Sequence, residues 1–404
     1  MSRQREPFSI IIRAYHAVTL HVLADENIPW VKYFFGDDVH VETLGGRAID
    51  KSQLDNIDIL LVRSVTRVDA SLLYGSSVKF VGTATSGFDH IDREYLLEHG
   101  ISFAYAPGSN ANSVVEYVLA ATASTGDTLE KLLAGGIVGI VGYGHVGKAV
   151  AARFAALGIR CRVYDPWIER NMIGHAATID PILDCDVVTL HPELTTNQPW
   201  PSHHLLGVAE LERLRHGTLL INASRGSIID NSALLQRLNA GQKISTVLDV
   251  WEDEPKINAA LLEKVTLGTA HIAGYSLDGK LLATRMLSDA VKVSHRINLA
   301  ALDSPIETAP QLLLPGGLSN AEQIRCLIQS RYDILTDDAL LREAMFGEKV
   351  VSKRAGRFDL LRKSYRERRE LAGSIVTLPH GAVQSNEVVR ALGCILAGAG
   401  SIAE

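Results

Sequence analysis

The run Gly142-Tyr143-Gly144-His145-Val146-Gly147 stands between an apolar stretch, 137–141, and a stretch in which Val146, Val150, Phe154 and Leu157 recur at helical spacing. Three glycines at these offsets leave few folds open. Gly142 permits a tight turn, Gly144 lets the backbone approach a pyrophosphate, and Gly147 lets the helix lie against the strand, with the first helical amides facing the phosphates. His145 and Val146 open that helix, and Gly158 is placed for a left-handed cap at its end. Asp165 closes the next apolar run, 160–164. Its carboxylate can accept hydrogen bonds from an adenosine ribose and would repel a 2′-phosphate, so NAD is the expected cofactor.

Around this unit the pattern is α/β. Apolar runs at 20–24, 39–43, 57–62, 78–82 and 101–104 predict the strands of a first domain, with a helix bracketed by Pro29 and Gly36 and another by Asp89 and Gly100. Nearly continuous apolar strands at 137–141, 160–164, 187–190, 218–221 and 245–250 predict a parallel sheet buried on both faces. A long helix is expected over 281–299, and the alternation ends at Asp303-Ser304-Pro305. Beyond lie helical stretches around 320–330 and 357–369 and a strand candidate at 374–378. The arginines of 354–369 read as a solvated helix face or subunit contact. The expected division is an extension (1–18), a substrate domain (19–112, completed by 277–299), a Rossmann domain (113–276) and a C-terminal domain (300–404). With 404 residues, 47% of them hydrophobic, each domain can own a core.

Forty basic against 46 acidic residues, a net charge of -6, argue against a nucleic-acid-binding surface, so an anionic substrate needs local cations. No apolar run approaches the roughly 18 residues of a membrane span. Cys161, Cys185, Cys326 and Cys394 show no metal or redox spacing, which suits a reducing cytoplasm.

Three residues in the second half carry the chemistry. Arg225 follows the 218–221 strand at the sheet edge where such folds bind ligands, and a guanidinium can fork onto a carboxylate. His271, beyond the short strand 265–268, can take a hydroxyl proton. Glu254, ahead of Pro255, can orient the ring, because a carboxylate on one nitrogen favours a protonated imidazole. These are the parts needed to oxidise a 2-hydroxy acid by hydride transfer. Arg63-Ser64-Val65-Thr66 and the loop of Thr85 each follow a strand of the first domain and offer hydroxyls, amides and a guanidinium to an anion.

At these residues the chain resembles the D-isomer-specific 2-hydroxyacid dehydrogenases. The likeness is carried by Leu23-Ala24-Asp25-Glu26-Asn27-Ile28-Pro29, Leu61 to Thr66, Val81 to Thr85, His271 to Lys280, and Phe358 to Tyr365 with Glu367-Arg368-Arg369. General family members lack the last segment, which points to a member acting on a small phosphorylated hydroxy acid. The resemblance implies a Rossmann-type doubly wound sheet, a flavodoxin-like substrate domain and a C-terminal α+β dimerisation domain forming a homodimer. It makes Arg225, Glu254 and His271 catalytic, with His271 the acid/base. It assigns Ser64, Thr85 and Tyr275 to substrate, and Asp165, Ala223, Ser224, Arg225, Asp249 and Gly274 to NAD. Arg63 is the first candidate for the phosphate. Another 2-hydroxyacid dehydrogenase, such as one for 3-phosphoglycerate, and an NAD-sensing binding protein stay open as alternatives. One departure stands out: where the family reads His-Thr-Pro-Leu, this chain has His191-Pro192-Glu193-Leu194, which removes a threonine expected at the cofactor.

Overall fold

The computed structural model describes residues 20–36, 39–174, 176–295, 308–379 and 385–398. The extension 1–18 and the break at 303–305 lie outside them. Within these residues the chain forms two compact units, one of residues 20–36, 39–83, 89–104 and 288–295, the other of the remainder.

Five strands build the first sheet: β1 (Leu20–Asp25), β2 (Val39–Leu44), β3 (Ile59–Val62), β4 (Phe80–Thr83) and β5 (Ser102–Tyr105), in the order β2-β1-β3-β4-β5, with β1 to β4 parallel. That is the flavodoxin-like order, which brings chain ends together outside β1 and β3. All four residues of β3 and of β4 are buried, so both faces are covered. The helix expected after Asp89 begins later, at Arg93–Glu98. Its cap is Asp92, whose side chain accepts from Tyr95 N, because a cap must sit immediately before the first helical turn.

The second sheet holds β6 (Ile137–Val141), β7 (Arg160–Tyr164), β8 (Val187–Leu190), β9 (Leu219–Asn222), β10 (Ser245–Leu248) and β11 (Leu267–Gly268) in the order β11-β10-β9-β8-β6-β7. A parallel bridge of Ala176 to Val163 adds a vestigial strand outside β7. Counted from β6 with that bridge as third member, the order is the Rossmann one, with the switch point between β6 and β8. Helix His145–Ala156 packs Val150 and Phe154, both fully buried, against the sheet, each worth about 1.5–3 kcal/mol of apolar burial. The chain ahead of β6 is helical over Ala111–Ser124 and Thr128–Leu133. The first of these helices is buried on nearly every face.

The long helix spans Leu277–His295, starting a turn earlier than expected, and 296–299 lie outside the described residues. The last expected helix also shifts. It covers Val351–Lys363 and stops before Arg366, because Arg366, Arg368 and Arg369 are drawn off by separate partners. The C-terminal strands β12 (Gln311–Leu313), β13 (Ile375–Thr377) and β14 (Ile395–Leu396) are parallel to one another. Helix Ile334–Phe346 covers the β11 edge, where Asp338 Oδ1 accepts from Gly268 N at 2.7 Å. No helix among the described residues is long and apolar enough to cross a membrane.

Candidate active site

The glycine run folds as its spacing requires. Gly142 sits at φ 87°, and a Cβ there would lie 2.5 Å from Pro192 N. A Cβ on Gly147 would lie 1.9 Å from Gly142 O, so only hydrogen lets the helix start that close to the turn. At Gly144, the cap of the helix, a Cβ would face open space. Asp165 follows β7 and turns back on the loop: Oδ2 accepts from Tyr143 N at 2.8 Å and Oδ1 from Trp167 N at 3.0 Å. Open space over a helix N-terminus, with a carboxylate fixed one strand away, fits a dinucleotide. His145 is exposed beside Gly108, and Val146 is half-buried.

Beside the departure at 192–193 stands His191. Its Nε2 lies 2.9 Å from Thr189 Oγ1, and burial pushes the ring down to about 3, so it is a neutral support beneath the glycine turn.

Arg225, Glu254 and His271 arise at the ends of β9, β10 and β11, three adjacent parallel strands. Two of the three are in direct contact: His271 Nδ1 and Glu254 Oε2 are 2.7 Å apart. A carboxylate only accepts, so Nδ1 carries the hydrogen and Nε2 is left as the base. Glu254 Oε1 accepts from Trp251 N at 2.8 Å, which aims the carboxylate. Burial works to raise the Glu254 carboxyl, but the His271 charge and hydrogen bond, helped by the Arg362 guanidinium, outweigh it and hold Glu254 below its usual range.

His271 has left-handed backbone, φ 56°, a conformation that costs about 1–2 kcal/mol for a side chain with a Cβ. Asp249 fixes it there. Asp249 O accepts from His271 N at 2.7 Å, and the fully buried carboxylate accepts from Thr269 Oγ1, Ile272 N and Ala273 N. Burial pushes the Asp249 carboxyl up, against the opposing pull of His271 and those bonds. Its visible role is to hold the histidine loop.

The Arg225 loop is locked to the Glu254 loop through backbone. A Cβ on Gly226 would lie 2.0 Å from Trp251 C, and Asn231 joins the loops by accepting from Glu252 N and donating to Gly226 O. Asn222 Oδ1 accepts from Ser224 N and Oγ, and Asn222 Nδ2 donates to Arg225 O, which sets Ala223, Ser224 and Arg225 at the strand end. Arg225 Nη1 donates to Ser224 O at 2.9 Å. Gly274 leaves room for Asn110, whose Nδ2 would otherwise meet its Cβ at 2.6 Å.

Of the expected substrate residues, Thr85 donates to Gly87 O at 2.6 Å, and Ser64 is exposed after β3. Arg63 Nε lies 3.2 Å from Asp25 Oδ2, a fully buried carboxylate, so its charge is already answered. Tyr275 Oη accepts from Arg362 Nη2 at 3.2 Å.

Arg362 is the residue that sequence reasoning passed over. The C-terminal end of the arginine run is not a solvated face: Arg366 pairs with Asp337, Arg369 with Asp278, and Arg368 is buried, donating to Ala273 O and Ser113 Oγ. Residues 368–370 thus pin the loop that follows His271, aided by Ser276 Oγ donating to Glu370 Oε1 and Glu370 N donating to Asp278 Oδ2.

Residues 111–273 match the family described as D-isomer specific 2-hydroxyacid dehydrogenase, NAD binding domain, and residues 305–393 match a domain of unknown function. Over 356 residues the chain is 43% identical to erythronate-4-phosphate dehydrogenase of Citrobacter koseri, covering 87% of this chain and 92% of that one. The corresponding enzyme of Cellvibrio japonicus is 41% identical over 380 residues, covering 93% and 99%. Among solved structures, NAD-bound 3-phosphoglycerate dehydrogenase of Entamoeba histolytica aligns with TM-score 0.58 at 20% identity, covering 69% of this chain and 97% of its own. D-lactate dehydrogenase of Aquifex aeolicus, complexed with NAD and lactic acid, aligns at 0.56 and 22%, covering 68% and 95%. At that identity these two speak for the fold.

Proposed function

Since the chain belongs to the erythronate-4-phosphate dehydrogenases, within the D-isomer-specific 2-hydroxyacid dehydrogenase family, we propose that Arg225, Glu254 and His271 carry its reaction. That reaction is the NAD-dependent oxidation of 4-phospho-D-erythronate to 3-hydroxy-2-oxo-4-phosphobutanoate, in the pyridoxine pathway. Bound NAD supplies the hydride acceptor at nicotinamide C4. The glycine run with His145 and Val146 holds the pyrophosphate, Asp165 the ribose, and Ala223 to Arg225, Asp249 and Gly274 the nicotinamide end. Arg225 forks onto the C1 carboxylate and fixes C2. His271 Nε2 removes the proton from the C2 hydroxyl as its oxygen becomes a carbonyl, and Glu254 stabilises the imidazolium so formed. Ser64, Thr85 and Tyr275 offer hydroxyls to the substrate.

The observation that carries these roles is the 2.7 Å contact of Glu254 with His271 at the ends of adjacent strands. Purified protein should turn over 4-phospho-D-erythronate in preference to 3-phosphoglycerate when supplied with NAD and a 2-oxo acid acceptor. His271→Ala should abolish most turnover while NAD stays bound. Equal rates on the two acids, or an active His271→Ala, would reject the assignment.

The C-terminal block is proposed as a homodimer contact. Supporting this are exposed apolar side chains on its helices, among them Phe346, Val351 and Leu360. Sedimentation should give twice the chain mass, and a monomer at micromolar concentration would refute it. Free thiols at all four cysteines suit a reducing cytoplasm.

A further inference from the structure

The substrate carries two anions, and Arg225 accounts for one. A second cation must meet the phosphate, or the desolvated charge would oppose binding. Arg63 is a poor provider, because buried Asp25 already faces its guanidinium.

Arg362 lacks that compensation. It comes from the C-terminal helix Val351–Lys363 and lies against Tyr275, four residues beyond His271 in the chain. Its guanidinium carbon is 5.8 Å from the Tyr275 ring centre, and Lys280 Nζ is 5.0 Å from the same centre. The one hydrogen bond Arg362 makes goes to the neutral phenol, and no carboxylate among the described residues lies within ion-pair distance of it. Its Nε is buried and without a partner. A largely enclosed guanidinium held by one phenol is unusual, since buried charges are paired or carry a function. Of the other arginines of this region, Arg342 pairs with Asp338, Arg357 with Glu348, Arg366 with Asp337 and Arg369 with Asp278. Arg362 also stands close enough to Glu254 to help keep that carboxylate ionised, which puts it in the neighbourhood of the acid/base pair.

We propose that Arg362, with Lys280 beside it around the Tyr275 ring, binds the phosphate of the substrate and so selects a phosphorylated 2-hydroxy acid. The inference rests on the reaction assigned above. Planar guanidinium and tetrahedral phosphate make paired charge-assisted hydrogen bonds, and the orphaned Nε is one of the donors so used. The C-terminal block is then part of the substrate site as well as a candidate contact between subunits.

The test uses the full chain with NAD. Arg362→Ala and Arg362→Lys are assayed on 4-phospho-D-erythronate and on unphosphorylated D-erythronate, and inorganic phosphate is titrated as an inhibitor. Charged hydrogen bonds of this kind lead us to expect that Arg362→Ala raises KM for the phosphorylated acid about 10- to 100-fold with much less change in kcat. The preference for it over D-erythronate should collapse by the same factor, phosphate inhibition should weaken in parallel, and Arg362→Lys should fall between. An equal loss on both acids, or undiminished phosphate inhibition in Arg362→Ala, would overturn the proposal. Should Arg362→Ala fail to fold, the Lys variant and phosphate inhibition decide alone. A wild type inactive on 4-phospho-D-erythronate but bound by phosphate through Arg362 would sink the substrate assignment and keep the anion site.

Discussion

Replacing Glu254 by glutamine removes one charge and little volume, which isolates what the carboxylate does for His271. The two side chains touch at 2.7 Å and are 18% and 30% exposed, so solvent screens them only in part. At an effective dielectric of about 20, opposite charges roughly 3–4 Å apart attract by about 4–6 kcal/mol. Desolvation offsets part of that, and glutamine still offers an acceptor to Nδ1–H. We expect a net loss of about 2–3 kcal/mol in the transition state, about 30- to 150-fold in kcat. The assay is NADH formation, with NAD affinity measured alongside to show that the nucleotide site is intact. Stability gives a second readout. Glu254 is held below the ordinary glutamate value of 4.5, so its contribution is present above that value and is lost as pH falls through the folded one. The wild type should therefore lose Tm on acidification faster than the variant. Turnover of Glu254→Gln within about threefold of wild type would refute the reasoning.

Glu116 has the opposite sign: burial, then the repulsion of Glu370, pushes its carboxyl up to about 7. The fold holds a proton there that the unfolded chain releases above the ordinary value of 4.5, so stability falls as pH rises through that window. Thermal melts should show Glu116→Gln gaining several degrees on wild type between about pH 5 and about pH 8, and parallel curves would contradict this. Gly147→Ala drives a Cβ into Gly142 O and should destabilise the fold by about 1–3 kcal/mol while weakening NAD binding, both measurable by melts with and without NAD. Asp165→Ala removes the carboxylate that would repel a 2′-phosphate. Its NADP-to-NAD ratio of kcat/KM should rise at least about tenfold, and an unchanged ratio would remove Asp165 from cofactor selection.

What could be read in the residues follows from how local each signal is. Strands β6, β7 and β8 fall at their expected bounds, since strands covered on both faces are continuous apolar runs with sharp ends. The glycine turn was legible because backbone sterics alone demand it. Glu254 and His271 meet as expected, both being fixed at strand ends of one sheet. Helix Ile334–Phe346 and the two- and three-residue strands β12 and β14 were missed: the strands are too short to show a period, and the helix mixes buried and exposed apolar positions. The contact of Arg362 with Tyr275 was not legible in the sequence. The two are 87 residues apart, and no periodicity reports a contact made by tertiary folding.

The tie between 368–370 and the loop after His271 has a consequence for how the enzyme comes into being. A ribosome finishes every strand of the nucleotide fold well before it reaches Arg368, and until then Ser276, Asp278 and Glu116 lack the groups that later clasp them. We expect the nascent chain to gain activity only once residues 368–370 are in place. A chain terminated ahead of Arg366 that still turned over substrate would show that the clasp is dispensable.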